Sequence, residues 1–376
     1  MGRGAAAAAG RMALKRRVGI IFGGKSGEHE VSLQSAKSVY EALDREKYEP
    51  LLIGVDKAGV WHLGADASFI LNVSNPKLIA LNASAPAVVP VEAPGSALSL
   101  KDPESGLVRQ SVDVFFPLMH GTFGEDGSLQ GLLRLLNAPF VGASVLGSSV
   151  GMDKDVMKRL LREAGLPVPE FRVVRSPGDD LAAAVRDLGL PLFVKPCNLG
   201  SSVGITKVKR LEEVAPAVER ALRFDRKAIL EQGIAGREIE VAVLGNEEPR
   251  ASVCGEIVPR HEFYSYEAKY IDEDGALLKI PAEIPAWQSD KIRDLAVAAF
   301  RALECEGMGR VDFFLKPDGG ALVNEINTLP GFTRISMYPK LWEASGLPYP
   351  KLLDRLIELA LERHAREGAL LRSAEF

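Results

Sequence analysis

Residues 309–327 read GRVDFFLKPDGGALVNEIN. Two runs of alternating apolar and polar residues flank Pro317-Asp318-Gly319-Gly320, which predicts a β-hairpin closed by a tight turn. Side chains alternate across a strand, so Arg310 and Asp312 share one face, as do Glu325 and Asn327. With Pro317 to Gly320 as the loop, Asp312 falls opposite Glu325. Two carboxylates, an amide oxygen and a guanidinium then meet on one surface. Such oxygens suit Mg²⁺, which is commonly held by one or two carboxylates together with substrate phosphates. Arg310 could neutralise a phosphoryl group or an oxyanion beside the metal. Taken alone, the same spacing also describes a solvated hairpin face.

The remaining sequence places this hairpin at the end of a multidomain chain. At 376 residues, the length calls for two or three domains. Apolar residues make up 47% and charged residues 26%, as in ordinary globular proteins. A formal net charge of −4 argues against a nucleic-acid or membrane-binding surface. Cys197, Cys254 and Cys305 are scattered singly, which excludes a disulfide framework or CxxC metal site and fits a reducing cytoplasm. Residues 1–14, alanine-rich, are expected to be a disordered extension or an upstream start preceding Met12.

Arg17 to Phe22 has the apolar run of a buried strand. A glycine-rich turn follows, then a helix with Ala36, Val39, Tyr40 and Leu43 on one face, then a strand from Leu51 to Val55. This β–α–β order predicts a parallel sheet. Gly19 to Ser26 formally matches a P-loop, but Ile20, Ile21 and Phe22 then occupy loop positions that belong to the strand. A second buried strand, Val112 to Met119, ends at His120 and a glycine-rich loop, the place where open α/β sheets bind ligands.

Asp153 reads as the N-cap of a helix with Met157, Leu160, Leu161 and Ala164 on its apolar face. Lys154 sits in its first turn, against the helix dipole. Farther on, two strands flank Asn198-Leu199-Gly200-Ser201-Ser202-Val203-Gly204. Backbone N–H groups and hydroxyls at such a tip can close over phosphates, with Lys195 below as a point charge. A strand at 228–234 and an alternating run from Arg237 could seat a purine and its ribose, with Glu238 accepting hydroxyls. The aromatic, charged stretch 261–275 suits a lid. A helix from Ile292 to Leu303 and a helical tail through about Arg366 complete the pattern.

Six motifs occur in order: GGKSGEHEVS (23–32), HGTFGEDGSLQG (120–131), KPCNLGSSVG (195–204), YEAKY (266–270), GMGRVD (307–312) and NEINTLPG (324–331). Together they resemble the ATP-grasp superfamily and, within it, the D-alanine–D-alanine ligase family, from about Val18 to about Leu361. The resemblance implies a mixed α/β architecture, an ATP-grasp fold preceded by a Rossmann-like parallel-sheet domain. The expected division is an N-terminal substrate domain at 15–142, a central subdomain at 143–230 and a C-terminal subdomain at 231–376. It also implies a cytoplasmic homodimer that uses ATP to join two D-alanine molecules through an acyl phosphate, for peptidoglycan synthesis. Two Mg²⁺ ions, replaceable by Mn²⁺, would assist.

The same resemblance assigns roles. Glu30 would hold the first substrate's ammonium, with His120 nearby and Ser201 and Tyr270 hydrogen-bonded to it. Lys154 and Lys195 would hold the α- and β-phosphates, and Lys269 would close over the γ-phosphate. Glu231, Gln232, Gly233 and Ile234 would hold adenine and Glu238 the ribose, with Ser202, Phe314 and Asn324 also at the nucleotide. Asp312, Glu325 and Asn327 would bind the metals. Arg310 and the Gly331 N–H would stabilise the oxyanion, and Ser336 would take the second substrate's carboxylate. Gln232 and Phe332 stand where many relatives carry lysine and methionine. The alternatives are a ligase that uses D-lactate or D-serine as second substrate, another ATP-grasp carboxylate–amine ligase, a P-loop ATPase relying on Lys25, or a non-catalytic nucleotide-binding module.

Overall fold

The computed structural model describes residues 14–72, 79–82, 84–92, 98–259, 276–333 and 335–371. The expected extension before Leu14 and the expected lid at 261–275 lie outside them.

Residues 18–22 are buried, as an unbroken apolar run requires of a strand covered on both faces. They lie in a four-stranded sheet ordered Trp61–Gly64, Tyr48–Val55, Arg16–Gly23, Val114–Pro117. The last three strands are parallel and the first is antiparallel. Helix His29–Ala42 links the two central strands and buries Leu33, Ala36 and Val39. The chain leaves the first strand at Gly23, which has φ +89°; a Cβ there would stand 2.2 Å from the Val55 carbonyl oxygen. The strand expected from Val112 to Met119 is broken at Asp113. Val108–Val112 belongs to a small antiparallel sheet, and Val114–Pro117 to the parallel one. The Asp113 carboxylate accepts the Arg17 amide at 2.7 Å and its guanidinium at 2.7 and 3.1 Å, fixing the break.

A second, antiparallel sheet is ordered Phe171–Val174, Ala228–Gln232, Leu192–Pro196, Thr206–Val208. Helices Leu181–Leu188 and Val214–Leu222 cover it, and an apolar cluster around Leu192, Val194, Val218 and Leu230 is its own. The strand that begins at Ala228 runs through Gln232, so the expected boundary at 230/231 falls inside it.

The third sheet is antiparallel, ordered Ala276–Lys279, Arg250–Pro259, Arg237–Gly245, Gly307–Leu315, Ala321–Asn327. Helix Ala286–Ala302 packs on it. It starts earlier than expected because its first turn exposes Trp287, and the apolar rhythm begins only later. The helical tail is two helices, Met337–Ala344 and Tyr349–Gly368, broken around Pro348. Their apolar faces share one cluster with the first sheet, where the Phe116 and Phe332 rings meet edge-on at 5.7 Å.

Helix Lys154–Glu163 lies in the region expected to be central, yet Met157 and Leu161 pack into the cluster of the third sheet with Val241, Phe300 and Val311. Its buried face also differs from expectation. Leu160 is exposed and Ala164 lies outside the buried face, whereas Lys158 is fully buried. Asp153 caps the helix as expected, accepting the Asp155 and Val156 amides at 3.1 Å each. It also accepts Lys227 Nζ at 2.7 Å, which ties the second sheet to this helix. Replacing Asp153→Ala removes both roles. Urea unfolding is expected to show a loss of about 1–2 kcal/mol, the range for a strong N-cap.

Candidate functional site

A cavity of about 410 Å³ opens where the three sheets meet. Glu28, His120 and Glu125 reach it from the first sheet's loops, Gly200 and Ser201 from the tip of the second sheet's hairpin, and the acidic hairpin face from the third. That face follows the strand alternation: Val311 and Phe313 are buried in the core, while Arg310, Asp312 and Phe314 turn to the other side.

Arg310 pairs with Asn327 and Asp312 with Glu325. Nearer the turn, Leu315 pairs with Ala321 and Phe313 with Val323, so Asn324 is an extra residue, a bulge. The expected pairing of Asp312 with Glu325 therefore depends on the bulge, because the turn itself sits one residue out of that register. Arg310 grips Asp312 with two hydrogen bonds of 2.7 Å, and its Nε also lies 2.9 Å from Glu240. Asn327 Nδ2 donates to Asp312 at 3.0 Å. Lys154 Nζ stands 3.4 Å from Glu325 and donates to the Leu199 carbonyl at 2.7 Å, so it bridges the acidic hairpin and the glycine-serine hairpin.

Behind this face lies a buried ionic chain. The Glu231 carboxylate accepts Lys195 Nζ at 2.7 Å on one oxygen and forms an ion pair with Lys158 Nζ, 2.7 Å from the other. Lys158 also donates to the Asn324 carbonyl at 2.9 Å. Burial alone would push the Glu231 carboxyl up, but Lys158 and Lys195 hold it down at about 2. Burial pushes Lys195 down, yet Glu231 and Glu325 raise it above its ordinary value, so it stays cationic. The Glu231 side chain is thus committed to two lysines, which leaves its main chain for the adenine role expected of residues 231–234. Gln232, Gly233 and Ile234 continue from the strand end, outside the cavity wall. The Gln232 and Gly233 amides donate to Glu170 and Pro191 carbonyls at 2.9 and 3.0 Å. Glu238, Phe314 and Asn324 do line the cavity, whereas Ser202, Lys154 and Lys195 lie off its wall.

Glu30 requires a correction. Its carboxylate turns to Lys57 Nζ, 2.8 Å away, on the outside of the first sheet. Glu28 is the acid that faces the cavity, and it accepts the Ser201 hydroxyl directly. The cause is local. The helix begins at His29, and residues two apart on a helix do not share a face. Ser26 fixes the preceding loop, donating to the His120 carbonyl at 2.6 Å and accepting the Glu28 amide at 3.2 Å. Lys25 is exposed and lies over Gly59, away from the cavity, which removes the P-loop reading.

His120 is buried. Its Nδ1 meets the Leu329 carbonyl at 3.2 Å and Glu125 at 3.4 Å, and its Nε2 meets Ser35 Oγ at 3.0 Å. Glu125, Glu240 and Lys158 are functional candidates missing from the sequence-based expectations. For Glu125 the signal was present, since it lies in the same glycine-rich loop as His120. Across the cavity, a Cβ on Gly331 would stand 2.8 Å from Ser336 Oγ, so the amide and hydroxyl expected at the two ends of a substrate are neighbours. Ser336 Oγ accepts the Thr333 amide at 3.0 Å and opens the helix Met337–Ala344. Lys269 and Tyr270 lie outside the described residues.

Comparison with known proteins gives a consistent result. The model of the D-ala D-ala ligase N-terminus matches residues 17–143, and that of the C-terminus matches residues 160–358. The D-alanine–D-alanine ligase A of Chromobacterium violaceum is 56% identical over 367 residues, covering 96% of this chain and 100% of that protein. The D-alanine-D-alanine ligase structure from Coxiella burnetii superposes with a TM-score of 0.84 at 41% identity, covering 96% of this chain and 98% of that one. A D-Ala:D-Ser ligase from Enterococcus faecalis superposes with a TM-score of 0.78 at 34% identity, covering 92% and 99%.

The His120–Glu125 pair gives the site a proton-dependent character. Burial and the nearby Glu28 charge push the Glu125 carboxyl up to about 7, even though His120 draws it down. Burial lowers His120, but Glu125 and Glu28 outweigh it and raise the imidazole. Groups that bind protons more tightly when folded contribute stability at low pH and lose it as pH rises. For Glu125 that contribution is complete below its ordinary carboxylate range and is lost as pH climbs through about 7. Thermal midpoints measured from pH 5 to 8 should therefore fall with rising pH more steeply in the wild type than in Glu125→Gln.

Proposed function

The chain belongs to the D-alanine–D-alanine ligase family, and from that premise we propose how its residues carry the reaction. It is an ATP-dependent ligase that joins two D-alanine molecules into the dipeptide used for cell-wall synthesis. The observation that supports the residue roles best is the meeting, in one cavity, of the Glu28–Ser201 contact and the acidic hairpin face.

A carboxylate is a poor electrophile. Its oxygen takes the γ-phosphoryl group, the bond to the β-phosphate oxygen breaks, and ADP leaves behind an acyl phosphate. The amine of the second D-alanine attacks that carbonyl, loses a proton, and phosphate departs with the C–O bonding pair. In this scheme Glu28, held by Ser201, takes the first substrate's ammonium, the role expected of Glu30, with His120 and Glu125 behind it. Lys154 and Lys195 take phosphate oxygens, and Ser201 and Ser202 close over them. Adenine lies beside Gln232, Gly233 and Ile234, with Glu238 on the ribose and Phe314 and Asn324 along the nucleotide. Arg310 and the Gly331 amide face the developing oxyanion, where such donors act most strongly. Ser336, at a helix N-terminus, takes the second substrate's carboxylate. Lys269 would act on the γ-phosphate and Tyr270 beside the acid that takes the first substrate, the roles their motif implies.

The donor set fits Mg²⁺. Asp312 and Glu325 are paired across the hairpin, and Asn327 uses its amide nitrogen on Asp312, which leaves its oxygen for a cation. Two bound ions, Mg²⁺ or Mn²⁺, would neutralise the β- and γ-phosphate oxygens. We further propose a substrate domain ending near residue 142, a central nucleotide-binding part, a C-terminal part, and a cytoplasmic homodimer. Among the described residues, no helix is long and apolar enough to cross a membrane.

Two measurements test these roles. Incubation with ATP, Mg²⁺ and D-alanine should release phosphate stoichiometrically with D-alanyl-D-alanine. Parallel arms with D-serine or D-lactate as second substrate decide the alternative, and a preference for either would overturn D-alanine as the acceptor. Glu28→Gln should lower kcat/KM by about 100-fold or more, as loss of a charge-paired substrate contact does. Glu30→Gln should stay within a few-fold of wild type, and the reverse ranking would return the ammonium site to Glu30.

A further inference from the structure

We propose that Lys158 is a positioning residue that sets Lys195 and Glu325 relative to each other while touching no substrate. The inference rests on the reading of this cavity as the ATP and metal site. Lys158 is buried on the face of helix Lys154–Glu163 one turn beyond Lys154. A lysine inside a protein is costly, and an apolar residue of similar volume commonly packs as well or better. Met157 and Leu161 on the same helix show that the site has ample apolar surroundings. The lysine must therefore be read through what its ammonium holds.

It holds two things. Its charge sits 2.7 Å from the inner oxygen of Glu231, an ion pair, while the other Glu231 oxygen takes Lys195. An N–H goes to the carbonyl of Asn324, the bulge residue directly before Glu325. A bulge is the weakest point of a hairpin register, because the extra residue has no cross-strand partner to hold it. Pinning its carbonyl fixes the direction in which Glu325 leaves the bulge. The same ammonium thus ties a phosphate-binding lysine on the second sheet to a metal-binding carboxylate on the third. Lys154, on the same helix face, stands 3.4 Å from the Glu325 carboxylate. One helix acts as a ruler for three charged groups that must meet the same triphosphate.

The test is Lys158→Met, which keeps the length and removes the charge. ADP affinity is read by calorimetry with and without divalent ions, alongside the Mg²⁺ concentration for half-maximal rate, the KM values for ATP and D-alanine, and the thermal midpoint. ADP affinity and the Mg²⁺ requirement should both worsen about 10- to 100-fold, as when a partner behind a metal's ligands is lost. The KM for D-alanine should hold, because Glu28 and Ser336 are not in contact with Lys158. A variant that loses thermal stability but keeps wild-type ADP affinity and Mg²⁺ requirement would make Lys158 structural only and overturn the proposal. If Lys158→Met does not fold, Lys158→Gln, which keeps a donor for Asn324 but no charge for Glu231, is read in the same way. Wild-type protein that makes no D-alanyl-D-alanine would sink the ligase reading, whereas the binding measurements would still decide the place of Lys158.

Discussion

A carboxylate removed from water must find positive charge and hydrogen-bond donors, or it takes up a proton. Glu231 finds two ammonium groups, one on each oxygen, and stays ionised. Much of the site follows from that single demand. Lys195 is held at the base of the glycine-serine hairpin because Glu231 holds it. Helix Lys154–Glu163 is drawn to the second sheet although its apolar face belongs to the third. The bulge at Asn324 is fixed from behind. Removing any one of the three charges would strand another in the interior, which costs more than the set contributes as a whole.

The other junctions between the sheets are of two kinds. The first and third share apolar surface: Phe116, Phe332 and Tyr338 lie in one cluster, and the buried Arg363 guanidinium donates to the Gly142 and Phe140 carbonyls at 2.5 and 2.7 Å. The second sheet keeps its own apolar cluster and meets its neighbours largely through charge: Glu231 with its lysines, Lys227 with Asp153 and Asp155, and Ser201 with Glu28. The first and third sheets are thus welded, while the second is clasped.

Much of this was legible in the residues. Alternation around Pro317–Gly320 placed Arg310, Asp312, Glu325 and Asn327 on one face, because a period of two leaves no other choice. The pairing of Asp312 with Glu325 also came out, although through a bulge that no local pattern announces. Glu28 was missed because two acids flank His29, and only the start of the helix decides which one faces inward. Lys158 was missed because a lysine in an amphipathic helix reads as solvated, and its partners are 73 and 166 residues away. The break at Asp113 interrupts an apolar run at one residue, and its cause, Arg17, is also remote in sequence.

The clasped junction has a consequence for how nucleotide enters. Parting two packed apolar faces costs free energy in proportion to the area wetted. Parting ion pairs re-solvates charges, so water returns much of what the contact supplied. The glycine-serine hairpin meets Glu28 through the Ser201 hydroxyl and Glu325 through Lys154, so an outward swing of it would break polar contacts and leave the sheet's own apolar cluster buried. Such a swing would leave the packed junction of the first and third sheets intact. The negative charge of a polyphosphate would compete for the same cations that hold this hairpin to its neighbours.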